Sequence, residues 1–474
     1  MAEDRNVAWR EELRQTIKNK ERTEIPRIRM NELNAHYRAT VSEEVNQGLS
    51  KEQAMEEAKR CLDCPTPTCM TGCPVSINIP GFIKNIERGE FLQAAKVLKE
   101  TSALPAVCGR VCPQEKQCES QCFYKLKLKK EPVAIGHLER FAADYERESG
   151  MVSVPEIQSK NGVKVAVVGS GPAGLSFAGD MAKLGYSVTV FEALHEIGGV
   201  LKYGIPEFRL PNSIVDAEIV SLSKMGVEFV KNCIVGKTIS IDDLKEDGFK
   251  GVFVASGAGL PRFMNIPGEN LIGVMSSNEY LTRVNLMMAG DDEADTPVLK
   301  GRKVAVVGGG NTAMDSVRTA LRMGAERAMI VYRRSEEVKH AKEEGVEFMT
   351  LHNPIEYVGD DKGRVKAMRL QKMELGEPDA SGRRTPVEIP GAIEEIEVDV
   401  VIVSIGVSPN PIIPNSVAGL EVSAKGTIIV NDNMQSSIPM IFAGGDIVRG
   451  GATVILAMGD GRAAAKAMHE FLMK

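Results

Sequence analysis

Eight cysteines crowded between residues 61 and 122 are the side chains with the most chemistry to offer in this chain of 474 residues. They form two groups, Cys61-x2-Cys64-x4-Cys69-x3-Cys73-Pro74 and Cys108-x3-Cys112-Pro113-x4-Cys118-x3-Cys122. Four thiolates close one cubane iron–sulfur cluster, so eight suffice for two 4Fe-4S clusters. Structural zinc also takes four cysteines, usually as paired knuckles across a longer loop. Dense quartets, each with a Cys-Pro step, suit iron–sulfur ligation better, and zinc stays open as the alternative. In two-cluster ferredoxins the fourth cysteine of a run ligates the other cluster. By that logic Cys61, Cys64 and Cys69 share a cluster with Cys122, and Cys73 joins Cys108, Cys112 and Cys118. Spacing alone does not prove the exchange. The ninth cysteine, Cys233, stands apart in an apolar-flanked segment and reads as a small buried hydrophobe.

A second set of residues suits phosphate. Val165–Val168 runs into Gly169, Gly171 and Gly174, then a helix-period segment, then a second apolar run ending on Glu192. Gly169 allows a tight turn, Gly171 lets backbone approach a pyrophosphate, and Gly174 lets the helix pack close. Pro172 and Ala173 open the helix, whose free N–H groups and dipole favour an anion. Glu192 lies about twenty residues on, where a carboxylate accepts a ribose 2′-OH.

The pattern returns at Lys303, with Gly308, Gly310 and Ala313 in the fingerprint positions and Asn311 and Thr312 at the helix start. Here Arg333 and Arg334 stand where Glu192 stood. Guanidinium forks grip a 2′-phosphate, so this second site favours NADPH over NADH, with Lys339 as a further candidate.

The elements that must position these groups follow from pattern. Residues 1 to about 150 read as helical and polar, with helical spacing over Ser50–Arg60 and Ile83–Lys99. A linker at Glu148–Gly162 leads to the first strand–helix–strand unit. His195–Pro211, rich in Gly and Pro, reads as a loop able to wrap a flat ring, with Gly199 and Tyr203 in it. Val227–Val230 and Gly251–Val254 read as strands, the latter running into small residues around Gly257 that let backbone pass close to a ligand. Asn353–Glu397 reads as antiparallel hairpins, with turns at Asp360–Gly363 and Asp379–Gly382. Val400–Ile405 is a buried strand, Ile441–Asp446 a strand ending in Gly445 and Asp446, and Ala463–Phe471 a helix. Asp446 is placed to bind a ribityl hydroxyl, with Thr453 nearby.

The length implies two or three domains. A net charge of −6 disfavours nucleic acid or an anionic membrane as partner. The N-terminal stretch lacks a signal-peptide core and no apolar run is long enough to span a bilayer, so a cytoplasmic protein is expected. Disulfides would be unusual there.

Two dinucleotide units with a late Gly-Gly-Asp resemble the two-dinucleotide-binding flavoprotein superfamily, although the redox Cys pair of its disulfide reductases is missing from both nucleotide units. The sequence more closely resembles the small (beta) subunit of NADPH-dependent glutamate synthase and its relatives. The signatures are Cys61–Pro74, Ile77–Ile83, Cys108–Cys122, Gly169–Gly174, Gly198–Pro211, Gly308–Asp315, Val331–Arg334 and Ala443–Arg462. The same architecture serves the large subunit of NADH-dependent reduced ferredoxin:NADP oxidoreductase and sulfide dehydrogenase. Val133–Glu146 is more like that branch, some of whose members lack a cysteine at the place of Cys108.

The resemblance implies an α/β chain with two Rossmann-like domains, one inserted in the other, behind a helical two-cluster domain at residues 1–150. FAD would occupy 151–285 with 400–474, and NADPH 286–399. It further implies hydride transfer from NADPH to FAD and single electrons through the clusters to a partner subunit. In the glutamate synthase reading that partner makes glutamate from glutamine and 2-oxoglutarate; in the other, the partner is a small ferredoxin-reductase-like flavoprotein. A zinc-stapled, nucleotide-binding scaffold without redox activity is the reading of another class.

Overall fold

The computed structural model describes residues 5–291, 293–334, 339–378 and 384–474. The turn expected at Asp379–Gly382 lies outside the described residues. Up to Ser149 the chain is a stack of short helices. Ser50 and Gln53 form a reciprocal cap on the helix Lys51–Lys59. The helical pattern over Ile83–Lys99 is divided at Gly89, whose φ is 83°, into Ile79–Glu87 and Phe91–Thr101. Ile135–Ser149 ends on Gly150 in the left-handed region.

Two five-stranded parallel sheets follow. In space the first runs Ile441–Ala443, Phe249–Val254, Lys164–Val168, Ser187–Phe191, Glu228–Val230. The second runs Val274–Ser276, Val400–Val403, Lys303–Val307, Arg327–Tyr332, Glu347–Thr350. Past their leading lysines, Lys164 and Lys303, their central strands are buried, as parallel strands covered on both faces must be. His352–Gly359, Val365–Pro378 and Arg384–Glu397 form the antiparallel sheet expected from the hairpin pattern.

The second sheet draws strands from both sides of the 286–399 span. Val401, Ile402 and Val403 pair in parallel with Val274, Met275 and Ser276, and Val400–Val403 pairs with Val304–Val307. Val400–Ile405 therefore belongs to this sheet rather than resuming the first, and the chain returns to the first only with Ile441–Ala443. The His195–Pro211 segment is not wholly a loop, since Val200–Tyr203 makes one helical turn. The last helix runs Val454–Leu472, starting nine residues before the expected Ala463.

One continuous core joins the helical domain to the first sheet, with Leu104, Leu138, Phe177, Leu222 and Met458 among its buried members. Rigid contact of this kind fixes the cysteines relative to the first nucleotide unit.

Candidate functional site

Gly169 leaves its strand at φ 101°, and a Cβ there would lie 2.5 Å from Ala255 O. A Cβ on Gly174 would lie 2.1 Å from Gly169 O, so the helix Pro172–Lys183 sits where only glycine fits. Gly171 caps that helix and faces open space. Gly199, at φ 55°, rises against the same loop, its Cβ position 2.9 Å from Gly171 Cα. From the far end of the chain Gly445 comes up to Ala173, and Thr453 caps the helix Val454–Leu472. Gly257 lies on the same wall.

Glu192 is buried and already engaged. It accepts from Ser170 N at 2.9 Å, Ser170 Oγ at 2.6 Å and Leu194 N at 2.8 Å. Ser170 Oγ in turn accepts from Gly198 N at 2.9 Å. The carboxylate thus ties the glycine loop to the Gly198–Gly199 turn. Burial pushes the Asp446 carboxyl above its usual range, although it accepts from Ala452 N at 3.1 Å. Burial also pushes the Tyr203 hydroxyl up to about 12, with Asp446 and Glu192 adding to the effect. Sequence reasoning missed Ser170 and Asp460. Asp460 is buried in the last helix, accepts from Gly445 N at 3.0 Å, and holds Arg449 at 2.6 and 2.7 Å. Only its place between two glycines hinted at it.

The second cradle repeats the first. Gly308 has φ 137°, and its Cβ position is 2.2 Å from Ser404 O. Gly310 caps the helix Asn311–Arg322 with an open face, and buried Ala313 takes the packing role of the third glycine. Arg333 is exposed and Arg334 half-buried, and neither guanidinium has an ion-pair partner among the described residues. Lys339 pairs with Glu343 at 3.6 Å.

Both cradles open into one cavity of about 2300 Å³. Its wall includes Gly169–Gly171, Tyr203, Asp446, Gly308–Thr312 and Arg333. A single small-molecule site occupies roughly 300–1,000 Å³, so there is room for two dinucleotides. Arg209 spans the two units, gripping Asp315 at 2.5 and 2.7 Å. Cys233 is half-buried on this wall and packs against the core of the first sheet, less covered than the small buried hydrophobe expected.

All nine cysteines are free thiols. Cys69 has Cys61, Cys122 and Cys64 as electrostatic neighbours, and those four line one small cavity. Cys73 neighbours Cys108, Cys112 is hydrogen-bonded to Cys108, and Cys118 neighbours Cys73. The fourth cysteine of each run thus lies with the other run. Burial pushes Cys61 and Cys73 up to about 11, a penalty that a bound cation removes by stabilising thiolate. Cys108 and Cys112 come within hydrogen-bonding distance, but among the described residues no three of these sulfurs lie within 4.8 Å of one another. Zinc, with four sulfurs at about 2.3 Å from the metal, requires them closer than that; a cubane holds its thiolates further apart. The donor set, four cysteines brought together twice over, therefore fits an iron–sulfur cubane.

The quartets differ in position. Val111 and Pro113, flanking Cys112, line the large nucleotide cavity, and Cys108 Sγ lies 3.4 Å from Met458 Sδ on the last helix. The first quartet is linked to the second through Cys69 and Cys118. No helix among the described residues is long and apolar enough to cross a membrane.

The model of the pyridine nucleotide-disulphide oxidoreductase family matches residues 163–461. The model described as dihydropyrimidine dehydrogenase domain II, 4Fe-4S cluster, matches 38–151. The chain is 36% identical to the glutamate synthase (NADPH) small chain of Halomonas elongata, over 92% of this chain and 95% of that one. It is 37% identical to the NADP(+)-dependent formate dehydrogenase subunit beta of Moorella thermoacetica, over 86% of this chain and 60% of that one. Mycobacterium tuberculosis FprA in complex with NADPH shares the fold of 66% of this chain and 85% of its own, at TM-score 0.54 and 22% identity. The chain therefore belongs to the glutamate synthase small-chain family and is an NAD(P)-dependent flavin and iron–sulfur oxidoreductase.

Proposed function

We propose that the first cradle would hold FAD and the second NADPH, a pair that would supply hydride transfer, and that the two cysteine quartets would hold two 4Fe-4S clusters supplying single-electron transfer to a partner subunit. The observation that carries this reading is the shared cavity, whose wall includes residues of both cradles and the flanks of Cys112.

The chain's own residues supply binding, orientation and exclusion of water. The open N-terminus at Gly171 receives the FAD pyrophosphate, Glu192 the ribose, and Gly445, Asp446 and Thr453 the ribityl side. Gly199 and Gly257 leave room for close backbone approach. Gly310, Asn311 and Thr312 cradle the NADPH pyrophosphate, while Arg333, with Arg334 beside it, takes the 2′-phosphate. Cys61, Cys64, Cys69 and Cys122 hold one cluster, and Cys73, Cys108, Cys112 and Cys118 the other.

By kinship with the small chains the partner is a glutamate synthase large chain, where glutamate forms in the cytoplasm from glutamine and 2-oxoglutarate. The second reading, an oxidoreductase subunit serving a different partner such as a ferredoxin-reductase-like flavoprotein, is favoured by the equal identity to a formate dehydrogenase beta subunit. Metal, acid-labile sulfide and flavin assays on anaerobically purified protein test the cofactor set. Yellow-brown protein with iron, sulfide and FAD is expected; colourless protein holding zinc overturns the reading.

A further inference from the structure

One surface segment sits directly on the first cysteine quartet. Tyr124–Leu128 forms a single π-helical turn, and both Lys125 N and Leu126 N donate to Cys122 O, at 2.9 and 3.0 Å. Phe123 and Tyr124 line the same small cavity as Cys61, Cys64 and Cys69. Tyr124 anchors the turn. It is buried, and its hydroxyl donates to Arg22 O at 2.9 Å and Arg60 O at 2.7 Å.

Everything after that anchor faces outward, with residues 125–131 all exposed. Phe123, Leu126 and Leu128 present apolar surface at 40, 38 and 37% exposure. Lys125, Lys127, Lys129 and Lys130 interleave with them, a dense positive charge on a chain whose net charge is −6. Lys130 pairs with Glu24 at 3.0 Å and Lys129 reaches Leu126 O at 3.2 Å, whereas Lys125 and Lys127 make no ion pair among the described residues.

We propose that Phe123–Lys130 is the docking surface for an electron-accepting protein whose own surface is acidic around its redox centre. The proposal rests on the reading that electrons leave through the first quartet. Apolar side chains at the centre and lysines around them match the anatomy of a transient interface, where charge complementarity steers encounter. A membrane is the poorer occupant. One five-residue turn offers too little apolar face to lie in a bilayer interface, which takes an extended amphipathic helix. The overall step balances as NADPH plus two oxidised one-electron acceptors giving NADP+, one proton and two reduced acceptors.

The test uses the cofactor-loaded protein and two probes, an acidic b-type cytochrome and a basic c-type cytochrome. Binding to each immobilised cytochrome is measured without NADPH at low and high salt. Wild type binds the acidic probe, and salt weakens the binding. K125E/K127E weakens it by about tenfold or more and gains affinity for the basic probe; K125Q/K127Q falls between. NADPH-driven reduction of the acidic cytochrome slows in parallel, while reduction of a small uncharged dye is unchanged. Equal binding of the acidic probe by wild type and K125E/K127E overturns the proposal. So does wild-type binding to phosphatidylserine vesicles, lost in K125E/K127E, in preference to the acidic cytochrome. Salt-sensitive binding with an iron–sulfur spectrum that NADPH leaves oxidised overturns the electron path instead of the docking surface.

Discussion

Cys108 Sγ and Met458 Sδ face one another across 3.4 Å, both fully buried. The contact joins the second cysteine quartet to the helix Val454–Leu472, whose capped N-terminus closes the first nucleotide cradle. A Cβ on neighbouring Gly459 would lie 3.1 Å from Pro74, so the same helix also seats the Cys73-Pro74 step. Packing thus helps set the distance between cradle and quartet, beside polar contacts such as Ala106 N donating to Glu218.

That contact predicts a stability effect. Met458→Ala leaves a cavity and costs about 2–5 kcal/mol, whereas Met458→Leu conserves volume and costs less than about 1.5 kcal/mol. Thermal midpoints of the loaded protein measure both. An alanine variant as stable as wild type contradicts the packing.

The cysteine arrangement predicts which substitutions share a phenotype. Cys61→Ser and Cys122→Ser remove the same cluster, and Cys73→Ser and Cys108→Ser remove the other. Each variant retains about half the iron, since four thiolates serve each cluster. Electron paramagnetic resonance of the reduced variants distinguishes the two clusters. Loss of different signals by Cys61→Ser and Cys122→Ser contradicts the pairing.

Arg333 and Arg334 predict coenzyme choice. Arg333→Ala/Arg334→Ala raises KM for NADPH by about tenfold or more and leaves KM for NADH within about twofold, because only the 2′-phosphate loses its charge-assisted bonds. Steady-state dye reduction with each coenzyme reads this directly. An equal effect on both coenzymes contradicts the assignment.

Glu344 predicts how the iron–sulfur domain is held to the second nucleotide unit. It accepts from Arg318 at 2.6 and 2.9 Å, Arg322 at 2.9 Å and Arg38 at 3.1 Å, and the last belongs to the helical domain. Burial raises its carboxyl, but Arg318 and Arg322 outweigh burial and hold it below the usual value of 4.5. A lowered pKa contributes stability that is present above pH 4.5 and lost as pH falls through the folded value. Glu344→Gln costs about 3–5 kcal/mol by leaving buried Arg318 and Arg322 without their carboxylate, while Arg38 keeps Glu32 and Glu343, and flattens the acid limb of stability against pH. Thermal midpoints across acid pH check it. A variant with wild-type stability and the same acid limb contradicts the role.

The parts legible in sequence were those where covalent geometry leaves no alternative. Gly169 and Gly308 need positive φ and a close carbonyl, and thiolate spacing restricts what cysteines can hold. Sheet membership was less legible. Val400–Val403 is a short apolar run that fits either parallel sheet, and its partners Val274–Ser276 lie far upstream. Gly459 and Gly461 disguised the start of the last helix. A Cβ at Gly461 would lie 2.3 Å from Ala173 O, so these glycines serve helix–helix approach rather than a turn. Glu344 gave no local signal, because its arginine partners come from separate segments.

Anaerobic titration of the loaded protein with NADPH, followed by absorbance, tests the central claim most directly. The account predicts bleaching of both flavin and iron–sulfur absorbance, with one electron reaching a cluster for every half-equivalent of NADPH beyond flavin reduction. Flavin that stays oxidised, or flavin that is reduced while the iron–sulfur absorbance remains unchanged in excess NADPH, contradicts it.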